Sequence, residues 1–167
     1  QGPVRSLGGF YTQGPNTVVE VANGTNTLTV DVANYAGRTM RTNDATLIIT
    51  LPAINASADA VSSGPGADPN TLNNLGATYR IFIETTASAV AIKTDGTDKF
   101  VGSLMMVDTD SSGAAYGYAP GASNDVINLN GTTTGGIAGS WVEITAVAAL
   151  KYAVTRSEEH TSELQSR

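Results

Sequence analysis

Apolar residues recur at every second position along this chain, in short runs separated by Gly, Pro, Asn and Asp. In Thr27-Leu28-Thr29-Val30-Asp31-Val32, the residues Leu28, Val30 and Val32 fall on one face and Thr27, Thr29 and Asp31 on the other. That is the period of a strand with one buried face. Similar runs predict strands over residues 17–21, 46–51, 78–84, 89–93, 99–107, 114–118, 125–129, 140–145 and 150–154. In the last of these Leu150, Tyr152 and Val154 are expected to point inward. Asn23-Gly24 predicts a hairpin, and Asp95-Gly96 and Asn130-Gly131 predict turns. Gly102 predicts a bulge or kink inside its run. Residues 131–139 read as a long hairpin loop. Residues 52–77 hold Pro, Gly, Ala, Asn, Ser and Asp in no period and read as a surface loop with a helical turn near 70–75. No segment sustains a helical period, so any helix is confined to that loop. The fold class is all-β, an antiparallel β-sandwich or jelly-roll-like domain of about ten short strands. An extended arm over residues 1–16 precedes a single domain over 17–155.

Composition narrows the chemistry. Only 14% of the 167 residues are charged, and the balance of 9 basic against 15 acidic gives a net charge of -6. Such a surface does not grip phosphates, so nucleic acid is not an expected partner. There is no Cys, which removes disulfides, thiolate metal sites and Cys nucleophiles. No apolar run is long enough for a membrane-spanning helix, and no membrane partner is expected. Gln1-Gly2-Pro3 lacks a Met start and reads as a fragment or processed form. Residues 156–167 (RSEEHTSELQSR) look like the conceptual translation of a sequencing adapter, which implies a gene assembled from environmental reads, and are set aside as a non-native tail. The only His, His160, falls in that tail. The remaining body therefore offers no Ser-His-Asp triad or His-ligated metal, and neither an enzyme activity nor a cofactor is expected.

Candidate sites are few. Asp108-Thr109-Asp110-Ser111-Ser112-Gly113 resembles the front of a calcium loop, with Asp108 and Asp110 as the metal candidates. Ala119 stands where such a loop needs its bidentate Glu, so a strand-connecting turn is the favoured reading. Asp95 and Asp98 flank another turn and are read the same way. The Gly-rich 131–139 stretch lacks the Gly-Lys-Ser/Thr ending and following helix of a phosphate cradle. Trp141 lies one position before Val142, which together with Ile144 is expected to face the core. Trp141 is thereby placed on the opposite face, as an interface residue in preference to a ligand platform. Tyr116 and Tyr118, two apart on one strand face, are the other interface candidates.

Several phrases resemble small β-rich structural proteins of marine tailed bacteriophages. Ala36-Gly37-Arg38-Thr39 leading to Leu47-Ile48-Ile49-Thr50-Leu51-Pro52-Ala53 is similar to the family's "GKT…(V/I)TLPA", and Gly76-Ala77-Thr78-Tyr79-Arg80-Ile81-Phe82 to its "GxxYRF". The most specific is Asp125 to Gly136 (DVINLNGTTTGG) with Gly139 to Ile144 (GSWVEI), similar to "DTITLNGTTTGG…GDWVEL". Lys151-Tyr152-Ala153-Val154 resembles a closing "WxV", with Tyr152 in place of the usual Trp. The resemblance implies a non-enzymatic virion protein on the capsid surface, either a decoration (cement) or a head-fibre subunit. It would be a homotrimer with the major capsid protein as partner, the low charge of its β faces allowing close approach. A carbohydrate- or cell-surface-binding β-domain of a phage fibre is the second reading, with Tyr116 and Tyr118 as its nominated residues.

Overall fold

The computed structural model describes residues 18–21, 24, 26–57, 68–108, 115–157 and 159–160, with the side chains of 104–118 and of 156 onward outside the description. The predicted arm lies outside the described residues. Among the described residues thirteen strands form: β1 Val18–Val21, β2 Thr27–Thr29, β3 Thr39–Thr42, β4 Ile48–Thr50, β5 Thr78–Ile83, β6 Val90–Lys93, β7 Lys99–Gly102, β8 Leu104–Asp108, β9 Ala115–Tyr118, β10 Val126–Leu129, β11 Trp141–Ala148, β12 Lys151–Ser157 and β13 Glu159–His160. They build a six-stranded sheet in the order β1-β3-β5-β11-β12-β7 and a four-stranded sheet in the order β10-β6-β4-β2. A three-stranded sheet, β13-β8-β9, completes the set.

The expectation of an antiparallel fold is corrected: both large sheets are mixed. β1, β3 and β5 run parallel in the larger sheet, and β2, β4 and β6 run parallel in the smaller. The cause is the path of the chain, which alternates between the two sheets from β1 to β6. Each strand is followed by one in the opposite sheet, so the chain returns to the first sheet in its original direction. Asn23-Gly24 therefore does not close a hairpin, since β1 and β2 belong to different sheets. For the same reason residues 131–139 are not a hairpin loop; they carry the chain from β10 in the smaller sheet to β11 in the larger. Among the later strands, β10 pairs antiparallel with β6 and β11 with both β5 and β12, while β12 with β7 and β13 with β8 are parallel.

Alternation sets which side of each strand is buried. Met40, Tyr79, Ile81, Ile83, Phe100, Val142, Ile144, Ala146, Tyr152 and Val154 of the larger sheet meet Ile49, Val90, Ile92, Ile127 and Leu129 of the smaller in one continuous apolar core. Leu47 and Leu51, just outside β4, join them. Leu150 does not. It occupies the two-residue turn between β11 and β12 with φ 63 and is 52% exposed, so only Tyr152 and Val154 of the expected trio point inward.

Helix is scarce, but it does not keep to the predicted loop. A single turn, α1 (Val32–Tyr35), follows β2, while a three-residue 3₁₀ turn at Pro69–Thr71 sits inside the loop. Asp31 caps α1 by accepting from the Asn34 N–H at 2.9 Å, and Gly37, at φ 75, lies just beyond its end. Asn70 Oδ1 accepts from the Val32 and Ala33 N–H groups at 2.8 and 3.2 Å, tying the two turns together. The Asp and Gly flanking this segment are the start and stop signals that distinguish it from a strand continuation.

Gly102 breaks the predicted 99–107 strand as expected. Its φ is 108, and a Cβ there would lie 2.8 Å from the Val154 carbonyl oxygen. β7 pairs with β12 before the break and β8 pairs with β13 after it, both in parallel. Backbone pairing thus continues past residue 155, with Arg156 opposite Val142 and Ser157 opposite Trp141.

Candidate functional site

The connections beside the core are fixed by polar groups acting as structural ties. Asp95 Oδ1 accepts from the N–H groups of Thr97 and Asp98, both at 2.9 Å, so the Asp95-Gly96 segment is a side-chain-stabilised turn. Asp98 itself is 1% exposed, and its Oδ2 accepts from the Ile54 N–H at 2.8 Å. Tyr152 donates its hydroxyl to the Pro52 carbonyl at 2.7 Å, and Asn74 Nδ2 donates to the Ala53 carbonyl at 2.8 Å. Three buried side chains thereby hold the Pro52-Ala53-Ile54 segment after β4. Of the metal candidates, Asp108 closes β8 with its side chain undescribed, and Asp110 lies outside the described residues. Tyr116 and Tyr118 are placed on β9 by backbone alone. Among the described residues no three His, Asp or Glu side chains converge.

Burial holds the Asp98 carboxyl above the ordinary carboxylate range; the Ile54 N–H opposes that shift, the Asp95 charge adds to it and Lys99 opposes it. A carboxyl raised on folding contributes stability that is fully present below its unfolded value, near 3.8, and is lost as pH rises through the folded value. Asp44 and Asp125 are shifted down, chiefly by hydrogen bonds from Thr46 and Lys99, so their contribution is present above 3.8 and lost as pH falls through their folded values. Asp98→Asn keeps an acceptor for Ile54 and removes only the first effect. The melting temperature of the variant minus that of the parent is therefore expected to be smallest in acid and to widen toward neutral pH. A gap that stays constant with pH would contradict a buried, raised Asp98.

Two outer faces remain, and their chemistry differs. On the four-stranded sheet the register lines up Val126, Lys93, Thr50 and Thr29 in one row, and Asn128, Ala91, Ile48 and Thr27 in the next. Lys93 is the one charge in these rows. Val126 is 40% exposed, and Ile48 and Ala91 are half-buried.

The outer face of the six-stranded sheet is charged and aromatic. One row reads Glu20, Arg41, Phe82, Trp141, and the row beside it reads Val18, Thr39, Arg80, Glu143. Trp141 faces away from Val142 and Ile144, as the alternation predicts, and Phe82 stands directly opposite it. Arg80 lies diagonally across, with its guanidinium 5.3 Å from the Trp141 ring centroid. Its Nε donates to Glu143 Oε2 at 3.0 Å, and its Nη2 donates to the same oxygen. Arg41 is likewise matched, Nη2 lying 2.7 Å from Glu20 Oε2 and Nε 3.4 Å from Glu84 Oε2. Thr39, Arg80, Phe82 and Trp141 line a shallow groove of about 400 Å³. The sequence marks Trp141 as a surface residue but not its companions, because Thr39, Phe82 and Arg80 reach it only through strand register.

No protein-family model matches this chain, and neither a curated protein nor a solved structure matches it. The likeness to virion proteins therefore rests on the quoted phrases. Geometry gives the most specific of them a local reason. Asn130 Oδ1 accepts from the N–H groups of Thr132 and Thr134 at 3.0 and 2.9 Å, and the Gly131 N–H donates to the Gly135 carbonyl at 2.7 Å. The Asn-Gly-Thr-Thr-Thr-Gly-Gly run is a self-bonded loop that carries the chain between sheets.

Proposed function

We propose that this chain is a non-enzymatic structural protein of a tailed-phage virion, a capsid decoration or head-fibre subunit that acts by docking. The observation that carries the reading is the outer face of the four-stranded sheet. Its rows of Thr, Ala, Asn, Ile and Val, with Lys93 alone charged, can be covered by a neighbour without stranding unpaired charges. A flat face of small side chains suits close contact with a capsid subunit or with sister copies around a three-fold axis. We read the two large sheets as the layers of a β-sandwich, with parallel ladders that set it apart from an antiparallel jelly roll. The polar ties at Pro52–Ile54 and the bonded 130–135 loop suit a part whose task is to hold its shape.

Light scattering on the purified protein is expected to give about three times the 17.1 kDa chain mass. Val126→Asp and Ala91→Glu, which place charges on the proposed contact face, are expected to lower that mass toward one chain. Immunogold electron microscopy of phage particles that carry the gene is expected to label the head. Tail labelling would assign the chain to a fibre instead, and unlabelled particles would overturn the virion reading.

A further inference from the structure

We propose that the groove on the six-stranded sheet is a binding site for a neutral carbohydrate, a hexose-based di- or trisaccharide unit. The proposal concerns the opposite face from the docking surface and stands independently of the virion reading. The first argument is charge. Arg80 is matched by Glu143, and Arg41 by Glu20 and Glu84. Two guanidiniums stand against three carboxylates, so the face disfavours an anion, and with both cations already paired a neutral polyhydroxyl ligand fits it best.

The second argument is the placement of donors and acceptors around an aromatic floor. Phe82 and Trp141 are half-buried, so each is fixed in the sheet and still shows part of its ring. The Arg80 guanidinium lies over the Trp141 ring, so the C–H face of a pyranose would pack on Phe82 and on the flat outer side of that Arg80–Trp141 stack. Arg80 uses Nε and Nη2 on Glu143 Oε2, which leaves Nη1 to donate to a ligand. Glu143 Oε1 has no hydrogen-bond partner among the described residues and can accept. The Thr39 hydroxyl, on the other side of Arg80, can do either. Sugar hydroxyls need this mixture of donors and acceptors at the edge of an apolar floor.

The third argument is size. A shallow groove with four lining residues seats one pyranose ring, the rest of the unit extending over the sheet. A protein partner would need about 800 Å² of this chain and would have to cover both Arg–Glu groups as well, desolvating several ions for one small aromatic patch. A sugar leaves those ion pairs at its wet rim.

Trp141 is the only tryptophan in the chain, so its fluorescence reports this groove. The full chain is titrated with lactose, cellobiose, maltotriose and N-acetylchitobiose, with sialyllactose as the anionic control. At least one neutral sugar is expected to give a saturable change with a millimolar midpoint. Arg80→Ala and Glu143→Gln are each expected to weaken that midpoint about tenfold, through loss of a hydrogen bond to a charged group. Both lie on the exposed face, and an unchanged melting temperature verifies that each variant is folded. Leu75→Ser, at an exposed residue of the loop before β5, is expected to bind as the parent does. A response that never saturates, one given by sialyllactose alone, or one that both groove variants retain would overturn the proposal. So would Trp141 fluorescence that changes with protein concentration when no sugar is present, which would assign the groove to self-association.

Discussion

Gly131→Ala is expected to destabilise the fold by about 3–5 kcal/mol, the sum of a steric clash and a left-handed backbone. A Cβ at Gly131 would lie 2.3 Å from the Ala87 carbonyl oxygen and 2.6 Å from Thr86 Cγ2, at φ 71. The first neighbour is backbone, so it cannot swing aside as the end of a side chain would. Gly139→Ala separates the two contributions. It too has a positive φ, 96, but nothing lies within 4 Å of the added carbon. Its expected cost is the backbone strain alone, about 1–2 kcal/mol. Urea denaturation of both variants checks this: equal midpoints would mean that the loop moves away from Ala87 and is not held as described.

Tyr152→Ala is expected to cost about 3–5 kcal/mol, as large-to-small changes at sealed aromatic positions do. The ring is fully buried, 6.5 Å centroid to centroid from both Tyr79 and Phe100, and its hydroxyl holds the Pro52 carbonyl. Tyr152→Phe keeps the packing and orphans that carbonyl, for an expected loss of about 1–3 kcal/mol. Tyr79 supplies the opposite case. It is equally buried, but its hydroxyl has no hydrogen-bond partner among the described residues. Tyr79→Phe removes an unsatisfied polar atom and is expected to leave stability unchanged or raise it by about 1 kcal/mol. Thermal melts of the three variants decide it; a Tyr79→Phe loss matching that of Tyr152→Phe would show that the two hydroxyls are not distinct.

The alternation of Val142 and Ile144 was enough to place Trp141 on the outer face, because period 2 is a local property. The direction of pairing was not legible by the same means. A strand with one buried face alternates in the same way whether its neighbour runs parallel or antiparallel, and an Asn-Gly pair in the sequence signals a turn without saying which sheet the chain enters next. β3 carries no strand signal, because Thr39-Met40-Arg41-Thr42 holds one apolar residue, and its Arg is matched by Glu20 of β1 and by Glu84 just after β5. Val32 continues the strand period in the sequence, but Asp31 and Gly37 bracket it in a helical turn. Leu150 fitted the inward pattern, but the tight connection between β11 and β12 claimed it for a turn. The groove was legible only as Trp141. Arg80 and Phe82 are neighbours in sequence, but what brings them beside Trp141 and Thr39 is register between distant strands, which no local pattern records.

The order of strands in the larger sheet also bears on how the protein is made. β11 and β12 lie between β5 and β7, yet they leave the ribosome after both. Until the final hairpin arrives, β5 and β7 each present an open edge, and the buried face of the sheet lacks Val142, Ile144, Tyr152 and Val154 between them. Such long-range closure makes folding slow, and unfilled edges in the waiting chain invite pairing with other molecules. The gap is one place where a chaperone would be of most use, and a ribosome stalled before residue 141 would release a chain able to aggregate but not to finish its sheet.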